Sequence, residues 1–588
     1  MRGFDGLGVS LVGLGVVACM EAGIVWGESR AGCLACGVGS GMVLLMFALL
    51  LRGVLYRVLG VWVWRCGDGG IGLLALNSHL CETSKIKQQG EIMTTQTKIN
   101  SIISQACDVL RDTLSAHEYG EHILSLLFVK YLSDAHKDTL EQLRVEYGED
   151  SKRIDAFMEY ETFRLGEDCT FEHLIKHRRE PKIGEIINEV LRKIERSNED
   201  KLDGIFRGID FNSNKLGEGR ERAERLCSLL EVFDHPELDL RPSKLEGRDI
   251  IGDAYEYLIA RFASESGAVS GQFYTPSAVS TLLAKLVAPK ESSTIYDPTC
   301  GSGSLLIRAA KEIGNSNFLL YGQEINDHAH ALCRMNMHLH GIVDSVIMLG
   351  DTLSSPKHVE ADGSLKQFDY IVANPPFSRI WSGGGGGKSL KDPYGRFDDY
   401  AIPPKGCADY AFVLHMLKSL KKSGAMAVIL PRGVLYRGSN EGKIRQKLIE
   451  RNLLHAIIEL PNNLFYKTTI PACILVFKPT RSTTDILFID ASQDYEKGKN
   501  QNTITSEHIA KIITAYEGYA SIDKYAYRAS REEIGANEYD CYVSLYVDRF
   551  DKEEEIDIDA TREQIARLES SLEQRGRQMA DYLAELGL

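Results

Sequence analysis

The sequence predicts an α/β chain: a mostly parallel, doubly wound sheet with a helical region before it and a helical tail after it. Three observations carry this. From about Arg248 to Thr480 short apolar runs alternate with helix-length segments, the pattern of strand-helix-strand units that build a parallel sheet. Ahead of that stretch, apolar residues recur at three- and four-residue steps among many charges, the signature of amphipathic helices. Beyond it the chain turns polar and ends on another helix-period stripe. At 588 residues the chain has room for roughly two to four domains with sizeable cores.

Residues 1–92 differ in texture from the rest. They hold 18 of the 53 glycines and three of the four tryptophans, with no lysine before Lys85. Ala31 to Leu51 is a 21-residue uncharged run between Arg30 and Arg52, long enough for a membrane-spanning helix of roughly 20 residues. The other reading is an atypical extension, translated upstream of the native start, because Met93-Thr94-Thr95-Gln96-Thr97 opens a polar, helix-capable segment. The second is the expectation, since a glycine- and cysteine-rich string with scattered arginines shows no helical face.

Residues 93–245 form the expected helical domain. Ile102, Ile103, Ala106, Val109 and Leu110 recur at helical spacing, as do Leu124, Leu127, Phe128, Tyr131 and Leu132. Such stripes read as core.

Residues 246–480 form the expected sheet domain. Its strands are predicted at Thr294 to Tyr296, Phe318 to Gly322, Val346 to Leu349, Tyr370 to Ala373, Ala425 to Leu430, His455 to Leu460 and Ala472 to Phe477. Helices are predicted at Ser304 to Ile313, Asp327 to His340 and Asp409 to Leu420. Ligands of such sheets bind at the carboxyl ends of the strands, so the residues just after each strand are the candidates for chemistry.

Residues 481–588 read as polar and helical. Thr561 and Gln564 suit a capping box ahead of Ile565, Leu568, Leu572, Met579, Tyr582 and Leu586, a stripe that Arg575 interrupts. A helix so patterned needs a partner, in its own chain or on another subunit.

Charge and cysteine content narrow the function. A formal charge of −14 argues against a chain that wraps nucleic acid through its own field. If it works on DNA, a partner helps hold it. Eight of the 13 cysteines follow residue 93 without paired metal-ligand spacing, which fits reduced thiols in a cytosolic protein and predicts neither disulfides nor a metal site.

The chemistry concentrates after four strands. Tyr370 to Ala373 runs into Asn374-Pro375-Pro376-Phe377, where two prolines enforce a stiff turn. An amide and backbone carbonyls can accept from an exocyclic amine, and an aromatic ring can stack on a flat base. Thr294 to Tyr296 leads into Asp297-Pro298-Thr299-Cys300-Gly301-Ser302-Gly303-Ser304 and a helical start, a turn whose glycines let backbone approach a nucleotide-like ligand. It lacks the dinucleotide fingerprint, because Leu306 stands where the third glycine belongs. Glu324, 23 residues past Gly301, ends the next strand and suits two ribose hydroxyls; Asp351 follows the third strand and suits an amino group.

Adding Gly271-Gln272-Phe273-Tyr274-Thr275-Pro276 ahead of a helix starting near Ser277, the order of segments resembles the amino-methylating DNA methyltransferases. It is most similar to the modification subunit of type I restriction-modification systems. The similarity runs from about Met93 to Leu588 and includes the loop Leu464-Phe465-Tyr466-Lys467-Thr468-Thr469-Ile470-Pro471. The resemblance implies a Rossmann-like methyltransferase fold and a cytoplasmic enzyme that carries a methyl group from S-adenosylmethionine to adenine N6 in DNA.

By that resemblance Gln272, Phe273, Tyr274, Thr275, Pro276 and Ser277, with Asp297, Gly301, Ser302, Gly303 and Ser304, surround the cofactor. Glu324 holds its ribose and Asp351 faces its adenine. Asn374, Pro375, Pro376 and Phe377 are the catalytic turn. The implied partners are DNA, a specificity subunit, a second modification subunit and a restriction subunit that would be the ATP-dependent translocase and nuclease. No recognition domain stands between the motifs, which fits dependence on a specificity subunit. The residues alone leave open an RNA guanine amine, a protein glutamine amide, or a subunit that binds cofactor without turnover. Ser382 to Ser389 nearly matches a phosphate-binding loop, but Ser382 replaces its first glycine; the expectation is a loop over the site that touches DNA through Lys388 and Lys391.

Overall fold

The computed structural model describes residues 96–588 except 149, 159–161, 246–249, 266–273, 384–391, 466–467, 499–500 and 550–556, together with five short strands before residue 96. Those strands belong to a separate unit ending at Thr97. Trp26–Gly27 pairs with Leu34–Ala35, and Leu55–Val58, Val61–Arg65 and Ile71–Leu74 make a three-stranded antiparallel sheet. Of the run Ala31 to Leu51, long enough for a spanning helix, Leu34–Ala35 is strand and the rest lies outside the described residues. No helix among the described residues is long and apolar enough to cross a membrane.

The unit from Lys98 onward begins with helices. Ala116–Tyr147 starts at Ser115, whose hydroxyl and N–H trade hydrogen bonds with Glu118 in a capping box. The predicted stripes face inward: Ile102, Ile103, Ala106, Leu110, Leu124, Leu127, Phe128 and Leu132 are buried in one core, with Val109 and Tyr131 at its margin. Ile250–Glu265 shares that core through Ile251, Tyr255, Leu258 and Phe262. The boundary expected at residue 245 is therefore crossed by packing. The core-facing residues of this helix, Ile251, Ala254, Tyr255, Leu258 and Phe262, recur at the same three- and four-residue steps as those of the helices before it.

The sheet has nine strands: β1 Ser293–Asp297, β2 Phe318–Glu324, β3 Val346–Leu349, β4 Phe368–Ala373, β5 Leu420–Pro431, β6 Leu454–Glu459, β7 Ala472–Phe477, β8 Ile486–Asp490 and β9 Ala526–Ala529, ordered β9-β8-β6-β7-β5-β4-β1-β2-β3. Only β7 and β9 run against the others. Alternate side chains enter different cores. Val372, Ala427 and Ile429 pack under the helices Ser277–Val287, Ser304–Ile313 and Ser506–Gly518, while Ile371, Ala373 and Val428 pack under Asp409–Lys418 and Ser439–Glu450. Covering both faces is what makes these strands continuous apolar runs.

The sheet does not end near residue 480. The run Ile486–Asp490 is only five residues between polar stretches, yet all five are buried, and it pairs with both β6 and the edge strand Ala526–Ala529. The sheet domain expected over residues 246–480 thus extends further: the first part of the polar, helical region after 480 completes the sheet.

The tail is a helix over Ile558–Glu585 with no buried residue. Its cap is Asp557, which accepts from the N–H groups of Asp559 and Ala560. An aspartate at the true start displaces the expected Thr561–Gln564 box into the helix interior.

Candidate active site

The carboxyl ends of β1, β2, β3 and β4 converge on a cavity of about 320 Å³. Each strand end contributes to its wall: Pro298 and Thr299; Glu324, Ile325 and Asn326; Gly350, Asp351 and Thr352; and Asn374, Pro376, Phe377 and Arg379. Phe412, from the helix Asp409–Lys418, closes the floor. A larger hollow of about 780 Å³ lies among the loops leading into β2 and β3, lined by Gly314, Ser316, Phe318, Ile342 and Asp344. It sits at the opposite strand ends, away from every convergent polar group described below.

The glycine turn is built by necessity. Gly301 and Gly303 adopt φ of +53° and +79°, a left-handed conformation costly for residues with a Cβ. A Cβ on Gly303 would also stand 2.7 Å from Cys333 Sγ and 2.8 Å from Met337 Cε. The turn therefore lies directly on the helix Asp327–Leu339. That helix also supplies Asn336, whose Nδ2 donates to the Ser302 carbonyl at 2.9 Å.

Glu324 ties this turn to the next strand. Its Oε2 accepts from the Gly301 N–H at 2.9 Å and its Oε1 from the Asn326 N–H at 2.8 Å. A carboxylate offers roughly four acceptor positions, so two remain for a ligand's hydroxyls. The Gly301 N–H is not free for ligand. Burial raises the Glu324 carboxyl above its ordinary value, against the pull of those backbone donors and the nearby charge of Arg379. Asp351 Oδ1 accepts from the Leu353 N–H at 3.0 Å and holds its own loop while lining the cavity.

Asn374 follows β4 at the cavity edge. Its Nδ2 donates to Thr275 Oγ1 at 3.0 Å, and among the described residues Oδ1 has no protein partner. Phe377 is half-buried and meets the Phe465 ring edge-on, centroids 5.9 Å apart. Pro375 is buried behind the turn and off the cavity wall, whereas Pro376 is on it.

The remaining sequence-predicted residues divide as follows. Gln272 and Phe273 lie outside the described residues, as do Lys388 and Lys391. Tyr274 is buried in the helical core, Thr275 meets Asn374, and Pro276 caps the helix that Ser277 opens. Asp297 is buried beneath the turn rather than on the cavity wall; its Oδ1 accepts from the Thr299 N–H at 2.9 Å, and burial pushes its carboxyl up to about 8. Ser302, Gly303 and Ser304 form the helix entry, with the two serine hydroxyls 3.4 Å apart, and none lines this cavity.

Sequence reasoning missed Arg379, Thr352, Pro298 and Phe412. Arg379 and Pro298 sit next to recognised motifs and were readable by adjacency. Phe412 was not, because only the fold brings its helix beneath β4.

Comparisons with known proteins give the family of the chain. A family model described as N-6 DNA Methylase matches residues 246–555, and one described as HsdM N-terminal domain matches 99–233. A type I restriction enzyme methylase subunit from Mycoplasma pneumoniae is 34% identical over 493 residues, covering 78% of this chain and 90% of that protein. Another, from Methanocaldococcus jannaschii, is 32% identical and covers 83% and 84%. A solved methyltransferase subunit of the type I restriction-modification system of Streptococcus thermophilus superposes with a TM-score of 0.70 at 34% identity, covering 77% of this chain and all of that one.

Proposed function

The chain belongs to the N-6 DNA methylase family as a type I restriction-modification methylase subunit, and on that premise we propose that Asn374 to Phe377 present the target adenine to a cofactor held by Glu324 and Asp351. The reaction is methyl transfer from S-adenosylmethionine to adenine N6 in DNA. One observation carries the residue assignment. The hydrogen bond from Asn374 Nδ2 to Thr275 leaves Asn374 Oδ1 as an acceptor on the same cavity as Glu324 and Asp351.

The residues fit the cofactor. Glu324 keeps two acceptor positions beyond its backbone bonds, suited to two ribose hydroxyls, and Asp351 is an acceptor next to them for an adenine amino group. The cavity volume is in the range of small-molecule sites. S-adenosylmethionine supplies the electrophilic methyl group.

The acceptor side must prepare a poor nucleophile. The N6 lone pair is delocalised into the purine, so attack needs a more tetrahedral nitrogen. In this reading Asn374 Oδ1 on the cavity wall accepts one amino hydrogen and a backbone carbonyl of the Pro375-Pro376 turn the other, returning electron density to nitrogen as the methyl group passes to it from sulfur; one N6 proton leaves after transfer. Extruding the base from the duplex costs a few kcal/mol, part of which stacking on Phe377 offsets. Phe465, held edge-on to Phe377, keeps that ring from turning away. No covalent nucleophile is needed.

Tyr274 to Ser277 and the 297–304 turn support this site from behind. Thr275 aligns the Asn374 amide, and Gly301 to Ser304 fix the approach of the helix Ser304–Ile313. Asp297 shapes the turn from beneath. Gln272 and Phe273 complete the same segment in the family reading.

The chain works with partners: a specificity subunit that reads DNA, a second modification subunit and a restriction subunit. The exposed helix Ile558–Glu585 supports docking to the specificity subunit. The eight described cysteines are free thiols, which supports work in the reducing cytoplasm.

Mapping modified adenines genome-wide in cells with and without this gene product tests the reading. Loss of methylation at one bipartite motif is the expected result, and an unchanged map overturns it. In the assembled enzyme, Asn374→Ala should cut the single-turnover rate by about 100-fold or more while cofactor affinity holds; full activity would remove Asn374 from the mechanism.

A further inference from the structure

We propose that Asp409 is a positioning residue for methyl transfer, holding the backbone immediately after Phe377 in the geometry the acceptor base requires. The inference rests on the reading of Asn374 to Phe377 as the acceptor turn.

Ser378 follows Phe377 with φ of +52°, a left-handed conformation disfavoured for a residue with a Cβ and held only where the surroundings enforce it. The enforcement is visible. The Ser378 N–H donates to Asp409 Oδ1 at 2.8 Å, and Arg437 Nη1 donates to the other oxygen, Oδ2, at 3.0 Å. The Asp409 side chain is 1% exposed, so the carboxylate cannot trade these partners for water. It is a fixed post against which the turn is bent.

The post belongs to the cavity wall. Asp409 opens the helix Asp409–Lys418, and Phe412, one turn further along, lines the cavity with Phe377. Displacing Asp409 shifts both ends of the aromatic surface together. Cys407, Asp409 and Glu441 bring their ligand atoms within 4.8 Å of one another, the spacing of a cation site. Here the Arg437 guanidinium takes that place, donating to Cys407 Sγ at 2.9 Å and Glu441 Oε1 at 3.3 Å as well as to Asp409. The cluster is a clamp on the turn.

Positioning and charge make opposite demands on substitutions, and the assembled enzyme can tell them apart. Asp409→Asn keeps an oxygen at the Ser378 N–H and loses the charge. Asp409→Glu keeps the charge and moves the oxygen by one methylene. Positioning predicts single-turnover methylation within about tenfold of wild type for Asp409→Asn and a loss on the order of 100-fold for Asp409→Glu, since a misplacement of about 1 Å has that effect. S-adenosylmethionine affinity, measured by calorimetry on the same preparations, should stay within about threefold in both. Asp409→Glu methylating as fast as Asp409→Asn overturns the proposal, as does a rate loss matched by an equal loss of cofactor affinity. Asn374→Ala run alongside separates the two readings: if it retains the rate, the acceptor turn itself is misassigned.

Discussion

Asn374 and Thr275 lie 99 residues apart in sequence and meet through one hydrogen bond of 3.0 Å between amide nitrogen and hydroxyl oxygen. The bond fixes which end of the amide faces the cavity. Thr275 sits just before the helix Ser277–Val287, so the turn at Asn374 is aligned by the segment that the family resemblance gives to the cofactor. Thr275→Val keeps the shape and removes the acceptor. The amide then loses its orientation, and the single-turnover rate should fall about tenfold, the effect of losing roughly one hydrogen bond. A variant that methylates at the wild-type rate would show that the amide is aligned by something else.

Glu324 makes a second prediction. Its carboxylate form accepts both backbone N–H groups and the expected ribose hydroxyls, while burial favours the protonated form. Cofactor affinity should therefore weaken on acidification at a higher pH than for an exposed glutamate. Glu324→Gln puts an amide N–H where acceptors are needed and should raise the Kd about tenfold, about 1.4 kcal/mol, with less dependence on pH. Calorimetric titration across pH 5 to 8, chosen to span about this range, checks both. Equal pH profiles for the two proteins would exclude Glu324 as the titrating group.

Gly303 tests the turn itself. Alanine there meets a left-handed φ of +79° and contacts at 2.7 and 2.8 Å from Cys333 and Met337. The expected cost is about 1 to 3 kcal/mol in urea unfolding. Alanine at Gly314, whose φ is +77° but whose Cβ would meet nothing within 4 Å, should cost less. Equal losses would mean the Cys333 and Met337 contacts are not limiting.

Much of this was legible in the residues. The apolar run at Ala472 to Phe477 is a strand over the same residues, because a strand covered on both faces needs apolar side chains throughout; Val346 to Leu349 is also a strand over its expected residues, but at the sheet edge, with Val346 and Met348 exposed. That Asn374, Glu324 and Asp351 line one cavity was readable because each stands at a strand's carboxyl end, a fixed place in such a sheet. Local pattern did not reveal Ile486–Asp490, whose burial depends on β6 and β9 on either side. It also missed Asp409. A carboxylate opening a helix reads as an ordinary helix-start charge, and its role comes from Ser378, 31 residues earlier, and Arg437, 28 residues later.

Asp297 gives a pH-dependent stability. Its folded carboxyl is pushed up to about 8 by burial, against about 3.9 in an unfolded chain. Between those values the folded state holds a proton the unfolded state has lost, so stability falls as pH rises and levels off above about 8. Asp297→Asn mimics the protonated form without titrating. Relative to wild type it should gain stability from pH 5 to 8.5, by about 1 kcal/mol or more. Urea midpoints that keep a constant difference at the two pH values would contradict this.

The terminal helix makes the last prediction. A helix of 28 residues that buries none of them draws no stability from the rest of the chain. Yet Ile565, Leu568, Leu572 and Met579 present an exposed apolar stripe along it, with Leu572 77% exposed. In water such a stripe is unfavourable unless covered, at roughly 25 cal/mol per Å². Removing residues 557–588 should therefore leave the melting temperature and cofactor affinity of the isolated chain unchanged, and abolish co-purification with the specificity subunit and methylation of its motif. Leu572→Lys in the full chain should reproduce the assembly defect by placing a charge in the stripe. A truncated chain that still assembles and methylates would assign docking to another surface, and one that melts lower would show that the helix packs on its own domain.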